Sequence, residues 1–371
     1  MQMMGRITRT KVRTAAKTLI LAVGLVGAAA QPATAVEVTV IEVKGAVAVR
    51  AKGEDAFSAA EEGDRIGQGA RLRTGDNGKA KLRFDDGTIS IVRPKSEVVV
   101  DMAPSDKSGV NAVVLFFGRL WSSVVKSSAG TRSFEVRGAN AVAGVRGTVF
   151  EVGIADDGAV RVAVSEGQVD VSGDDDDKVV SLSEGFQVDG NSEGHLHDHR
   201  KSPKTQDWRD WFDRRANRMH QQGQAVAKQL HGRLDARRAK LERLVARQKQ
   251  ARQRIRRLRR QLDAGAPVRG QLQQKLRELE SITERLLSMQ QRLQPLFGLF
   301  EMWGRQASTI GGTAGRQIGM MAEDVKRVEK GFADLFEEGT DQSEGSLDDM
   351  MDDMKRGPTL KRKRSVKDEL F

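Results

Sequence analysis

The chain holds 371 residues, with 62 Lys and Arg against 51 Asp and Glu, a formal net charge of +11, and no cysteine. That length leaves room for two or three domains. The missing cysteines exclude thiol catalysis, thiolate metal sites and disulfide staples, so stability has to come from core burial and helix packing.

Residues 1–35 read as a secretory signal peptide. Arg6, Arg9, Lys11, Arg13 and Lys17 form an acid-free basic start, and TLILAVGLVGAAA (18–30) is an apolar core. Ala33-Thr34-Ala35 then supplies the small-x-small pattern, which predicts cleavage before Val36. The apolar run is shorter than the roughly 20 residues a spanning helix needs, which favours export over an uncleaved anchor. The expected location is therefore the periplasm or the exterior, with no transmembrane helix in the mature protein. The C-terminal KDELF carries Phe371 after the tetrapeptide, so it is not a retrieval signal.

From Val36 to about residue 190 the pattern is that of strands. Apolar and polar residues alternate in VEVTVIEV (36–43), AVAVRA (46–51), AKLRF (80–84), AVRVAVSEGQVDVS (159–172) and VVSLSEGFQV (179–188). Period two puts one face on a core and the other in water. GDNG (75–78), DDG (85–87) and ADDG (155–158) supply the turns. Short strands at this spacing predict an all-β sandwich or jelly-roll-like domain over 36–190. The acidic run SGDDDDK (172–178) lacks the spacing and closing glutamate of a calcium loop and is read as a solvated hairpin loop.

Residues 191–207 read as a polar linker. His195, His197 and His199 alternate in it and would point the same way on an extended strand, which makes them weak zinc or copper candidates. From Trp208 the period changes to about three and a half. Leu234, Leu241, Gln248, Ile255 and Leu262 fall seven apart, with Leu244, Ala251 and Leu258 between them. After DAGAPVRG (263–270), Leu272, Leu279, Leu286 and Leu293 restart the pattern, broadened by Leu276 and Ile282. This predicts a basic antiparallel coiled-coil hairpin over 208–294, ended by Pro295 and offering a route to a homo-oligomer.

Between Arg200 and Leu262 stand 21 Lys or Arg and five Asp or Glu. The densest stretch holds Arg252, Arg254, Arg256, Arg257, Arg259 and Arg260, the candidate polyanion-binding residues. For an exported chain the anions in reach are surface polymers, lipid head groups or an acidic protein, whereas nucleic acid is not expected. Residues 295–336 read as an apolar Gly/Phe/Met-rich segment, partly helical and folded back on the hairpin or on another copy. Residues 337–371 read as a charged disordered tail.

Several stretches of the β half together resemble the FecR domain family of periplasmic sensor-regulator modules. They include GAVAVR (45–50), EEGDRIGQGARLRTGDNGKAKLRFDDGTISI (61–91), FFGRLW (116–121), FEVRGANAVAGVRGTVFEV (134–152), VSEGQVDVS (164–172) and LSEGFQV (182–188). The family's most specific element is matched by Gly144, Arg146, Gly147, Thr148 and Phe150. The resemblance implies a binding or sensing domain of the bacterial envelope. Regulator-type members also carry a cytoplasmic anti-sigma segment and a membrane helix, but only about 17 residues precede the apolar core here.

No catalytic constellation is visible. All five histidines lie at or beyond position 195, outside the β half, and the paired acids sit in turns. A non-enzymatic binding or sensing protein without cofactor is therefore expected, contacting an envelope protein or glycan. The alternatives are a structural protein holding anionic surface polymers and a membrane-anchored regulator. Strand parity puts Arg146 on the same face as Thr148, Phe150 and Val152, which predicts a guanidinium that staples strands together inside the domain.

Overall fold

The alternating segments form strands and the heptad segments form helices in the computed structural model. It describes residues 37–103, 110–126, 134–173, 179–203, 207–310 and 312–340. The signal peptide, most of the acidic run at 172–178 and the tail beyond 340 lie outside the described residues.

The first strands are β1 (Glu37–Lys44), β2 (Val47–Arg50), β3 (Ser58–Ala59), β4 (Arg65–Gly67), β5 (Arg71–Thr74) and β6 (Lys79–Phe84). Next come β7 (Ile89–Val92), β8 (Glu97–Ala103), β9 (Val110–Ser123), β10 (Phe134–Arg137), β11 (Ala141–Val145) and β12 (Val149–Ile154). The series closes with β13 (Val160–Glu166), β14 (Gln168–Gly173), β15 (Val179–Ser183), β16 (Phe186–Gly190) and β17 (Arg200–Lys201). Three helices follow: α1 (Trp208–Asp263), α2 (Arg269–Ile310) and α3 (Gly312–Thr340).

The strands make two sheets that share β9. One runs β4-β1-β6-β7-β9-β12-β13-β16-β17. The other runs β3-β2-β5-β8-β9-β10-β11-β14-β15. Among these pairings only β9–β10 is parallel. The fold is thus a β-rich domain followed by helices, as the periodicities predict.

Gly118 bends β9 between the sheets. Its φ is +93°, and a Cβ there would lie 2.2 Å from the Ser96 hydroxyl. Residues before it pair with β8 and β10, and residues from it onward pair with β7 and β12. The alternating valines and leucines meet between the sheets, where Val38, Val40, Leu72, Leu82, Leu115, Leu120, Phe134 and Phe150 are each fully buried. Phe84 and Phe134 meet edge to face at 5.2 Å. Burying each such side chain stabilises the fold by about 1.5–3 kcal/mol.

The helices pair antiparallel. Arg237 Nη1 of α1 donates to the Arg292 carbonyl of α2, and Gln248 Nε2 donates to Thr283 Oγ1 at 3.2 Å. The predicted seam residues Leu234, Leu241, Leu244, Ala251, Ile255, Leu258, Leu272, Leu279, Leu286 and Leu293 are buried within this one chain. Gln248 is buried among them at 1 % exposure, so its bond to Thr283 satisfies a polar group in an apolar seam. The break between α1 and α2 falls where Gly265 adopts a φ of +86°.

The hairpin differs from the expectation at Pro295, which does not end the second helix. Helix α2 continues through it to Ile310. An internal proline forfeits one helical hydrogen bond and costs about 3 kcal/mol. Leu296, Leu299, Phe300 and Trp303 follow it and are all fully buried, and their packing outweighs that cost. The apolar segment after Pro295 is therefore helical in its described parts. Helix α3 returns along α2, with Phe332 against Phe297 at 5.7 Å and Gly304 beside Ala322. Ile318 meets Gly223 of α1, so α3 covers the near half of the hairpin.

The stretch read as a linker is largely folded onto the β domain. Leu196 is buried, Gly190 bridges to it, and β17 pairs with β16. The β domain and the helices belong to one compact unit, Val36–Phe371. The Trp303 indole donates to the Asp156 carbonyl at 2.7 Å. Gly298 of α2 lies so close to Phe116 of β9 that a Cβ would fall 2.4 Å from the ring. Ala139 of the β domain joins the helical core.

Candidate functional site

The matched motif is a corner where the chain crosses from one sheet to the other. Strand β11 ends at Val145 and β12 begins at Val149, with Gly147 between them at a φ of +59°. The Thr148 hydroxyl donates to the Gln168 carbonyl at 2.8 Å, which ties the corner to β14. Gly167 makes the neighbouring crossing, and a Cβ on it would meet the Gly147 carbonyl oxygen at 2.8 Å. Phe150 is fully buried, and Gly144 is buried as well.

Arg146 does not share the buried face expected for it. Thr148, Phe150 and Val152 are buried together, as strand parity requires, but Arg146 is exposed. The parity argument assumes one continuous strand, and the turn at Gly147 breaks it. The Thr148 hydroxyl is a buried polar tie across the corner.

Charge is buried instead at the junction of the β domain with α2. Glu97 is 0 % exposed. Its carboxylate accepts from Arg73 and Arg305, each at 2.8 Å, and lies 3.2 Å from Arg71 Nε as an ion pair. Arg71 also reaches Glu301 of α2 at 2.5 Å and lies over the Phe116 ring. Burial pushes the Glu301 carboxyl up, but the hydrogen bond and charge of Arg71 with the charge of Arg305 hold it below its ordinary value. These groups couple the two halves of the protein.

The three linker histidines are exposed. His195 faces Glu193 at 4.0 Å, and His199 meets the Phe186 ring at 5.5 Å. Among the described residues no group of three or more His, Cys, Asp or Glu could hold a metal ion.

The six predicted arginines lie on the last turns of α1, beyond the part of the hairpin that α3 covers. Arg254, Arg256, Arg257, Arg259 and Arg260 are exposed and Arg252 is half-buried, while Ile255 and Leu258 point into the seam. Over residues 241–286 there are thirteen basic and five acidic side chains. The hairpin end is thus a strongly positive, well-solvated surface on a rigid support. At its neck, burial and the nearby Arg292 charge pull the Arg237 guanidinium down to about 10.

This architecture defines a two-sheet β domain with docked helices. The family model described as FecR protein matches residues 70–170, within that β domain. That span runs from the edge of β5 into β14 and includes the Gly147–Thr148 corner. Two solved structures, at 1.65 and 2.50 Å resolution, of a protein from Parabacteroides distasonis ATCC 8503 assigned as an anti-sigma factor are similar. Each is 21% identical with a TM-score of 0.30, over 35% of this chain and 59% of that one. No curated protein matches the chain. Among the described residues no helix is long and apolar enough to cross a membrane.

The Glu97 cluster and the Trp303 contact were not legible in the sequence, since their members stand up to 230 residues apart. The only local signal was a charged residue, Glu97, at the head of an apolar strand.

Proposed function

We propose that this chain is an exported, non-enzymatic binding protein of the bacterial envelope. Its FecR-type domain is the rigid base, and the basic end of its helical hairpin contacts an anionic partner. One observation carries this reading. The apolar seam of α1 is consumed inside the chain, while Arg254, Arg256, Arg257, Arg259 and Arg260 are all exposed at the far end. Solubility does not need so large an excess of one sign, and a concentrated positive field attracts polyanions. The docked helices would hold that surface at a fixed distance from the β domain.

The test is co-sedimentation of the full chain with vesicles containing phosphatidylglycerol, and separately with lipopolysaccharide. Binding should weaken steeply with added salt, as interactions between exposed charges do. Replacing the five exposed arginines by glutamine should abolish it while cooperative unfolding of the chain is retained. Retained binding in that variant rejects the hairpin as the contact surface. Export has its own test: sequencing the native N-terminus should read from Val36, and a start at Met1 returns the anchored reading.

A further inference from the structure

A second basic site lies away from the hairpin end, where the start of α1 meets β13, β16 and β17. A cavity of about 340 Å³ opens there. Arg161 and Asp189 form its inner wall. Arg161 is 6 % exposed and donates Nε and Nη2 to the two oxygens of Asp189 at 2.7 and 2.9 Å. Arg200 reaches the same carboxylate at 2.7 Å. Burial pushes the Asp189 carboxyl up, but the two arginines together outweigh it and hold it below its ordinary value. Asp189 therefore stays charged and keeps both guanidiniums in place.

Helix α1 supplies the opposite wall. Arg214, Arg215 and Arg218 line the cavity beside Trp211. Trp211 is 2 % exposed and lies 5.0 Å from the Arg161 guanidinium, which stacks over its ring. Arg215 holds Asp157 at 3.3 Å, and Arg214 holds Asp210. Arg218 has no carboxylate partner among the described residues. Five guanidiniums thus line one cavity with the Asp189 carboxylate, and Arg218 adds a positive charge that none of Asp189, Asp157 and Asp210 offsets.

We infer that this cleft binds a small oxyanion group, a phosphate monoester being the chemistry that fits it best. Guanidinium forks match the oxygens of a phosphate and form charge-assisted bonds that a half-buried site strengthens. The volume lies at the small end of the range for ligand pockets. Asp189 and Trp211 fix the geometry of the inner wall before any ligand arrives, which reduces the ordering cost of binding. The site combines β13, β16, β17 and α1, so it exists only when the helices are docked on the β domain.

The experiment is calorimetric titration of the full chain with inorganic phosphate, against sodium chloride at matched ionic strength. Saturable binding of phosphate is expected, weakened at least tenfold by the double change Arg200→Ala and Arg218→Ala. The single change Arg218→Gln removes no internal ion pair, so it tests the same point if the double variant fails to fold; it too should weaken binding. Arg83→Ala on the exposed side of β6 should leave phosphate binding unchanged. Absence of saturable binding, equal binding in Arg218→Gln, or a loss in Arg83→Ala overturns the assignment. None of these results depends on whether the hairpin binds polyanions.

Discussion

Glu97 at the head of β8 and Arg305 near the end of α2 meet at 2.8 Å, although 208 residues separate them in the chain. Arg71 and Arg73 complete the set around the same carboxylate, whose side chain is 1% exposed. Removing one partner of a buried ion cluster leaves uncompensated charge, which typically costs about 3–5 kcal/mol. Glu97→Ala removes the shared acceptor of three guanidiniums, of which Arg71 and Arg305 keep Glu301, so it is expected to cost about the lower end of that range in thermal or denaturant unfolding. Arg305 is 34% exposed, so solvent screens it and Arg305→Ala should cost clearly less. A larger loss in Arg305→Ala than in Glu97→Ala would show that the cluster is not organised around the carboxylate.

Glycines at two kinds of position in the helices should respond to alanine with opposite signs. Gly298 rests on the Phe116 ring, and a methyl there would fall 2.4 Å from it. Overpacking of this kind costs about 1–3 kcal/mol. A methyl at Gly331 of α3 would meet nothing within 4 Å, so Gly331→Ala should instead stabilise by about 0.5–1 kcal/mol through helix propensity alone. Denaturant midpoints of the two variants decide the matter, and a loss in both would mean that α3 is packed against another surface at Gly331.

The corner at Gly147 separates what the sequence could reveal from what it could not. The alternation that buries Phe150 and Val152 was readable, because period two follows from strand geometry itself. The orientation of Arg146 was not, because one left-handed glycine resets the parity on its other side. Likewise the leucine seam was readable at intervals of seven, whereas Pro295 misled, since the packing of Leu299 and Trp303 that overrides it is tertiary. Arg161, Asp189 and Arg218 carry no shared spacing, so their cleft emerges only from folding. The corner makes its own prediction. Arg146→Ala, at an exposed position, should cost less than Thr148→Val at its buried one. Thr148→Val should cost about 1 kcal/mol, because it removes the donor to the Gln168 carbonyl at 2.8 Å.

Two aspartates should give stability opposite dependences on pH. Asp189 is held below its ordinary value by Arg161 and Arg200, which together outweigh its burial. Its contribution is therefore fully present above the ordinary aspartate range and is lost as pH falls through the depressed folded value. Asp156 is raised, by burial first and by the adjacent Asp157 charge second. The fold thus favours its neutral form, and that stabilisation is present at acid pH and lost as pH rises through the elevated folded value. At neutral pH, Asp189→Asn should lower the melting temperature and Asp156→Asn should raise it, each by a few degrees, since about 1 kcal/mol corresponds to roughly 2–4 °C at larger domain sizes. Both differences should shrink at a pH below the ordinary aspartate range, where the wild-type carboxyls lose their charge. Melting curves of the three proteins across that pH span give the result, and a stabilising Asp189→Asn at neutral pH would show that Arg161 and Arg200 do not offset the burial of this carboxylate.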